Sequence, residues 1–321
     1  MNNLKKIITI AIGLLYVMSG LLKLMDPVGT GLIVEAYFRF MHLHSLMDVA
    51  KVAGVLLGLI EATIGLVAVL GLWRNLTRIA MFMMQVIFTM ISLALVIWNP
   101  QMHCGCFGEA IHLTHWETLI KNIVLMGMLW FAYVPLLQLS NAKMWQYIAF
   151  ASSVALMTGF AVYSWYLIPV IDFTDYKKGT KIVSQSEYWK LSEEEKENRA
   201  TLPMLGIGDK TDPDITNGEW AIISIYDISD STVDWIKVSK DVYALQDMGY
   251  NVALLISSTE SNMKSLDFTS EHNDSIYLTD KTTAISFNRK NGGITLMKDG
   301  LIINKLMSIS NLYKNFRFYA R

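Results

Sequence analysis

The chain has 321 residues, of which 53% are hydrophobic and 17% are charged, and its formal net charge is −1. A charge this close to zero gives no electrostatic attraction to nucleic acid, so the composition argues against a nucleic-acid-binding protein of the usual basic type. Hydrophobic residues are concentrated before about Pro169, and the later part has the polar density of a globular domain. The sequence therefore predicts a membrane part followed by a water-exposed domain.

Long apolar runs occupy the N-terminal part, and each has about the 20 residues that a helix needs to cross a bilayer. They span residues 7–24, 52–73, 79–98, 119–139 and 145–168. Lys5 and Lys6 before the first run fit the start of a signal peptide, but no small-residue cleavage site follows, so we expect this run to be retained. The pattern predicts a membrane all-α bundle of about five transmembrane helices.

Basic residues predict the orientation of this bundle. Lys5 and Lys6, Arg74 and Arg78, and Lys143 lie on one side of the predicted membrane, and the positive-inside rule makes that side cytoplasmic. The loop that holds both cysteines and the whole C-terminal part then lie on the opposite side. We therefore expect a bacterial inner-membrane protein whose N-terminus is cytoplasmic and whose C-terminal domain is periplasmic, where disulfides persist.

Both cysteines of the chain lie in the short loop His103-Cys104-Gly105-Cys106. Two thiols separated by one glycine close into a small, strained disulfide ring that is easily reduced. A loop this short gains little stability from being closed. The spacing favours thiol–disulfide chemistry, with Cys104 and Cys106 as nucleophile and resolving thiol and with His103, when protonated, favouring the thiolate.

Two other interpretations of this loop stay open. The cysteine pair could be a permanent bridge in a non-catalytic scaffold that binds an envelope protein partner. Met102, His103, Cys104 and Cys106 are also soft ligands suited to Cu(I). A zinc site would need a second ligand pair that the chain's cysteines do not supply, and no metal site is predicted.

Glu61 lies about ten residues into the second apolar run, close to the membrane midplane. A carboxylate there is unfavourable unless it is protonated or paired, which makes it a candidate catalytic residue. It could supply protons to a reaction within the membrane. It could equally be protonated and bonded to Gln85 or to a backbone carbonyl, where it would hold helices together.

Three further residues are candidates for binding a cofactor. Lys23 lies near the outer membrane face, where its side chain is expected to snorkel to water or to raise the positive potential beside the thiols. Trp116 is expected to be an interfacial anchor more than a ring that stacks on a cofactor. Asn122 is expected to bond across the bundle.

The C-terminal part has an α/β pattern. Residues 170–202 are polar and are predicted to be a linker with one surface helix. Beyond them the pattern predicts a strand, a helix, a strand, a second helix and a hairpin, with the clearest elements at 220–226, 233–248, 252–256 and 294–303. This is the element order of a thioredoxin-like domain, here without cysteine.

Several stretches resemble the DoxX/MauE-like family, in the type from Bacteroidetes that carries an appended thioredoxin-like domain. They are residues 19–23 with 26–30, residues 35–38, Glu61, residues 104–108, and Trp116 with Asn122. With this resemblance the chain divides into four parts. They are a four-helix DoxX/MauE-like bundle (1–140), a fifth transmembrane helix (141–169), a linker (170–202) and a thioredoxin-like domain (203–321). The resemblance implies disulfide formation in exported proteins, with membrane lipid as surroundings, exported protein thiols as partners and membrane quinone as electron acceptor.

Overall fold

The computed structural model describes residues 3–100, 102, 104–111, 113–133, 143–167, 169, 171–206, 213–228, 233–259 and 272–309. The chain divides into two compact units, Met1–Tyr166 and Leu167–Arg321. The first unit is helical, and the second is built around a mixed β-sheet.

The described part of the first unit forms α1 (Asn3–Met25), α2 (Pro27–Phe40), α3 (Ala50–Val69), α4 (Arg74–Trp98), the short strand β1 (Cys106–Glu109), α5 (His115–Tyr133) and α6 (Met144–Tyr166). Four segments of the described chain are long and apolar enough to cross a membrane: Asn3–Met25, His44–Val69, Arg74–Trp98 and Met144–Tyr166. Large apolar side chains on these helices are exposed, as contact with lipid requires. Examples are Leu14, Leu56, Ile87 and Leu156.

The sequence predicts about five membrane spans, and the described residues contain four. The remaining predicted span is 119–139, of which residues 134–139 lie outside the described residues. Its described part lies in α5, which is 19 residues long and is not one of the four. Its first two turns carry Glu117, Lys121 and Asn122, and these polar side chains lower its hydropathy.

Helix α2 lies in a stretch that the sequence pattern treats as a loop. Asp26 caps it, because the carboxylate accepts a hydrogen bond from the Gly29 backbone N–H at 2.9 Å. Pro27 occupies the first helical position, where no donor is needed. This helix packs against α3, and it brings Tyr37 toward the cysteine loop.

Glycines hold α1 and α3 in close antiparallel contact. A Cβ added to Gly13 would lie 2.9 Å from the Gly65 carbonyl oxygen, and one added to Gly20 would lie 2.6 Å from that of Gly58. Small residues allow helix backbones to approach this closely in a membrane. The contacts fix the register between the two helices and so position the polar side chains of Lys23 and Glu61.

The second unit contains an eight-stranded sheet in its described residues, with the strand order β3-β2-β9-β8-β5-β6-β7-β4. The strands are β2 (Lys181–Ile182), β3 (Arg199–Ala200), β4 (Leu205–Gly206), β5 (Glu219–Ile225), β6 (Asn251–Ile256), β7 (Ile276–Leu278), β8 (Gly293–Lys298) and β9 (Leu301–Leu306). Strands β5, β6 and β7 are parallel, and β8 runs antiparallel to β5 and β9. The helices in the described part of this unit are α7 (Gln185–Tyr188), α8 (Glu193–Lys196), α9 (Trp235–Asp247) and α10 (Lys281–Phe287).

Both faces of this sheet are covered by apolar cores. Successive residues of β5 alternate between them, because Ile223 packs with Val242 of α9 on one face and Ile222 packs with Phe287 of α10 on the other. Strands buried on both faces read as continuous apolar runs, which is why β5 and β6 are evident in the sequence. The predicted membrane bundle followed by an α/β domain is confirmed.

Residues 170–202, predicted to be a linker, contain α7 and α8 but also β2 and β3, which join the edge of the sheet. Lys181 of β2 pairs with Leu301 of β9. Asp172 also forms an ion pair with Lys305 at 2.6 Å, with both side chains largely buried. This stretch is therefore part of the domain, and strands of two residues are too short to show an alternating pattern in the sequence.

Candidate functional site

The loop between α4 and α5 presents both cysteines to the helices of the first unit. Cys104 is buried and Cys106 is partly exposed, and both are free thiols. The Tyr37 hydroxyl of α2 donates to the Cys104 carbonyl at 2.5 Å, and Lys23 of α1 donates to the Cys106 carbonyl at 2.6 Å. Side chains from two helices therefore fix the backbone on either side of Gly105.

Gly105 is required at its position for two reasons. Its φ is +63°, in the left-handed region that favours glycine. A Cβ at this position would clash with Cγ2 of Ile33 on α2. The single residue between the two cysteines therefore packs directly on the helix that also carries Tyr37.

We expect Gly105→Ala to destabilise the protein by more than the roughly 1–2 kcal/mol of left-handed strain, because Ile33 must also move. Gly108→Ala is a matched control, since its φ is +60° but its added Cβ has no neighbour closer than 3.6 Å. Thermal unfolding in detergent should rank Gly105→Ala below Gly108→Ala, and Ile33→Ala should restore part of the difference. Equal losses for the two variants would contradict the packing argument.

The two thiols have opposite pKa shifts. The hydrogen bond that Cys104 receives from Cys106 lowers the pKa of Cys104, and the Lys121 ammonium acts in the same direction. The same hydrogen bond, together with burial, raises the pKa of Cys106. Cys104 is thus the thiolate of the pair and Cys106 is the protonated partner.

This assignment predicts the pH dependence of alkylation. Only the thiolate reacts, so the rate at Cys104 should reach its plateau below the pH of about 8.5 at which an ordinary thiol is half ionised, and should fall as the pH drops through its lowered pKa. Cys106 should react only at higher pH. Iodoacetamide labelling across a pH series, read by peptide mass spectrometry, measures both. In Cys106→Ala, which removes the donor, the Cys104 profile should move to higher pH, and an unmoved profile would contradict the thiol–thiol hydrogen bond.

Glu61 and Lys23 form a buried ion pair beside this loop. Lys23 Nζ lies 2.8 Å from Glu61 Oε2, and the two side chains are 5% and 1% exposed. Lys23 Nζ also donates to Ser19 Oγ at 2.8 Å, so with the Cys106 carbonyl all three ammonium donors are used. Ser19 Oγ in turn lies 2.6 Å from Glu61 Oε2 and 2.6 Å from the Cys106 carbonyl oxygen, to either of which it can donate.

A second set of hydrogen bonds links α1, α4 and α5. Asn122 of α5 donates to the carbonyl of Phe88 on α4 at 3.2 Å, and it also bonds to Ser92 Oγ. Gln85 donates to the Asn122 carbonyl at 3.2 Å and accepts from Tyr16 of α1 at 2.9 Å. The bond across the bundle that the sequence predicts for Asn122 is present, while Gln85 bonds to Tyr16 and Asn122 rather than to Glu61.

These groups surround a cavity of about 280 Å³ within the first unit. One part of its wall is polar and holds both cysteines and the Lys23–Glu61 pair. The remainder is mainly apolar, with Leu15, Ile33, Val34, Met41, Leu57, Phe88, Ile91 and Leu125 among its residues. Lys121 lies at the wall with its Nζ 4.8 Å from the centre of the Phe107 ring. The cavity is therefore an apolar chamber with two thiols and a charged pair on its surface.

The structure brings together five of the seven predicted site residues: Cys104, Cys106, Glu61, Lys23 and Asn122. The expectation that Lys23 snorkels to water was wrong, because Lys23 is buried in its ion pair with Glu61. Trp116 is 65% exposed and is not one of the residues that line the cavity, which fits an interfacial anchor. His103 lies outside the described residues.

Ser19 and Tyr37 are site residues that the sequence pattern did not single out. Both lie in stretches that resemble the DoxX/MauE-like family, which was the available signal for them. Their contacts depend on how α1 and α2 pack, and no local pattern encodes that packing. In the described residues no group of three or more His, Cys, Asp or Glu side chains is arranged to hold a metal ion.

Comparison with known proteins agrees with this architecture. Residues 1–138 match the family described as Methylamine utilisation protein MauE. No match was found among curated proteins or among solved structures. The match covers α1 to α5 and every residue of the cavity described above. Residues 1–138 of this chain, which hold α1 to α5 and the cavity, are therefore similar to the MauE family of DoxX-like membrane proteins.

Proposed function

We propose that this membrane protein exchanges thiols and disulfides with exported proteins, through Cys104 and Cys106, and that it passes the electrons to a membrane quinone. The observation that carries the proposal is the position of the pair: both cysteines lie on the wall of an apolar cavity inside the MauE region. A disulfide that only braced the loop would need no such chamber beside it.

The different environments of the two thiols support different roles. Attack on a disulfide proceeds faster when the leaving thiol has the lower pKa. Cys104 has the lowered pKa and is 5% exposed, whereas Cys106 is partly exposed. We therefore assign Cys106 as the sulfur that a client thiolate attacks and Cys104 as the sulfur that leaves.

The exchange balances as two steps. A client dithiol reduces the Cys104–Cys106 disulfide, so the client gains a disulfide and the protein becomes a dithiol. The protein dithiol then gives two electrons and two protons to the quinone, which leaves as hydroquinone and restores the disulfide. Lys121 favours the Cys104 thiolate during this cycle, and the mainly apolar lining of the cavity suits an apolar acceptor. Asn122 and Lys23 line the space that the acceptor would occupy.

The C-terminal domain supports this role as a docking module. Strand β5, helix α9, strand β6, helix α10 and the β8–β9 hairpin follow the element order of a thioredoxin-like domain, with the additional strand β7 between β6 and α10. Because the chain's two cysteines both lie in the membrane part, the domain exchanges no disulfide itself. We place it in the periplasm, with the protein in the bacterial inner membrane, on the distribution of basic residues around the predicted spans.

The test is the redox behaviour of the pair in native membranes. Thiol alkylation and mass shift, across a series of glutathione buffers, should show a reversible two-electron couple in the range of −180 to about −120 mV that disulfide-exchanging proteins of oxidising compartments occupy. A second sample treated with an inhibitor of quinol oxidation should accumulate the dithiol. A bridge that resists strong reductant would instead make the loop a structural staple and would favour the scaffold interpretation.

A further inference from the structure

The two oxygens of Glu61 have unequal surroundings. Oε2 accepts from Lys23 Nζ at 2.8 Å and lies 2.6 Å from Ser19 Oγ. Oε1 is buried and has no hydrogen-bond partner among the described residues. Glu61 is 1% exposed and is one of the residues that line the cavity, so an unpartnered carboxylate oxygen belongs to a side chain at the wall of an apolar cavity.

From this arrangement we infer that the cavity binds a neutral, mainly apolar ring compound whose phenolic or hydroquinone-type hydroxyl donates a hydrogen bond to Glu61 Oε1. A carboxylate oxygen only accepts hydrogen bonds, so the ligand must supply the donor. Lys23 already neutralises Glu61, and Lys121 adds a further positive charge at the wall, so a cationic ligand is disfavoured.

The size and lining of the cavity fit this ligand class. A dry apolar cavity of roughly 150 Å³ accommodates benzene, and the present cavity has about 280 Å³. It therefore has room for a substituted ring. Hydrogen bonds to charged acceptors are stronger than those between neutral groups, so one phenolic donor at Oε1 would orient the ring toward the thiols.

The inference deepens the proposed function and rests on it for the identification of the cavity as the acceptor site. A quinone carbonyl only accepts hydrogen bonds, so an ionised Glu61 would favour the hydroxyl-bearing, reduced form of the acceptor over the oxidised form. The residue would then act by recognising the ligand, in addition to pairing with Lys23.

The test uses a redox-inert ligand pair with the full-length protein in detergent. 2,3,5,6-Tetramethylphenol carries the donor, and its methyl ether has the same ring without the donor. Isothermal calorimetry should give about tenfold tighter binding for the phenol, the difference expected for a hydrogen bond to a charged acceptor. In Glu61→Gln, Lys23 and Ser19 should keep the amide oxygen, which turns the NH2 group toward the cavity. The preference for the phenol should then disappear.

Equal binding of phenol and ether by the unmodified protein would overturn the inference, because Oε1 would then be satisfied by water. This comparison needs no variant, so it remains decisive if Glu61→Gln fails to fold. Neither measurement depends on the cysteines. If the cysteine pair is redox-inactive but the protein still prefers the phenol, the proposed function is contradicted and this inference stands. If the cysteines form a reversible couple but the preference for the phenol is absent, this inference is contradicted and the proposed function stands.

Discussion

Replacing Cys104 by serine is expected to reduce client oxidation to the rate measured without protein, because no disulfide can form within the loop and a client dithiol has no bond to reduce. When a client that already carries a disulfide is supplied, the Cys106 thiolate can still attack it, and the mixed disulfide should accumulate because Cys104, which would release the reduced client, is absent. Cys104 is the buried, low-pKa member of the pair, so its loss also removes the sulfur that we assign as the leaving thiol. Non-reducing electrophoresis of native membranes, with mass spectrometry of the adducts, measures the trapped species.

Cys106→Ser is the matched control for this experiment. It should be equally inactive, but it should trap few adducts, because Cys104 is only 5% exposed and presents little surface to a protein client. The cavity and the ion pair of Lys23 and Glu61 should be unaffected in both variants, so thermal stability should change little. Adducts that accumulate on Cys104 rather than on Cys106 would reverse the assigned roles. Full activity in either variant would remove the thiol–disulfide mechanism.

The sequence predicts the parts of this molecule whose signal is local. A membrane helix is encoded by an apolar run of fixed length, and buried strands such as β5 and β6 are encoded by continuous apolar residues. The cysteine pair is also visible locally, since Cys104 and Cys106 are separated only by Gly105. An acid inside an apolar run, such as Glu61, similarly identifies itself because its burial needs a partner.

The identity of that partner depends on a packing register that the local pattern does not contain. The sequence pointed to Gln85 or a carbonyl for Glu61, but the contacts of Gly13 with Gly65 and of Gly20 with Gly58 bring Lys23 to it instead. Lys23 near a helix end resembles a snorkelling lysine, and only the fold of α2 and of the cysteine loop over it excludes water. The short edge strands of the sheet were missed for a related reason, since they are defined by pairing and carry almost no periodicity.

The Lys23–Glu61 pair leads to the second large expected effect, which is on stability. Lys23→Met should destabilise the membrane bundle by about 3–5 kcal/mol, because it leaves the Glu61 carboxylate buried without a counter-charge. The variant also removes the hydrogen bonds from Lys23 to Ser19 and to the Cys106 carbonyl. Unfolding by titration with SDS in mixed micelles, followed by circular dichroism, gives the free energy difference.

Two further variants separate the charge from the packing. In Lys23→Met/Glu61→Leu no charge remains to be buried, so most of the lost stability should return, as it does when buried ion pairs are replaced by apolar side chains. Lys121→Met removes a lysine from the same cavity wall. Lys121 stacks on Phe107, and its described contacts include no ion pair with a buried acid. The loss of stability in this variant should therefore be below about 1 kcal/mol. A double variant as unstable as Lys23→Met would show that the ammonium mainly supports the Cys106 loop. If the double variant regains stability but no longer oxidises clients, the Lys23–Glu61 pair serves the chemistry of the site rather than the stability of the fold.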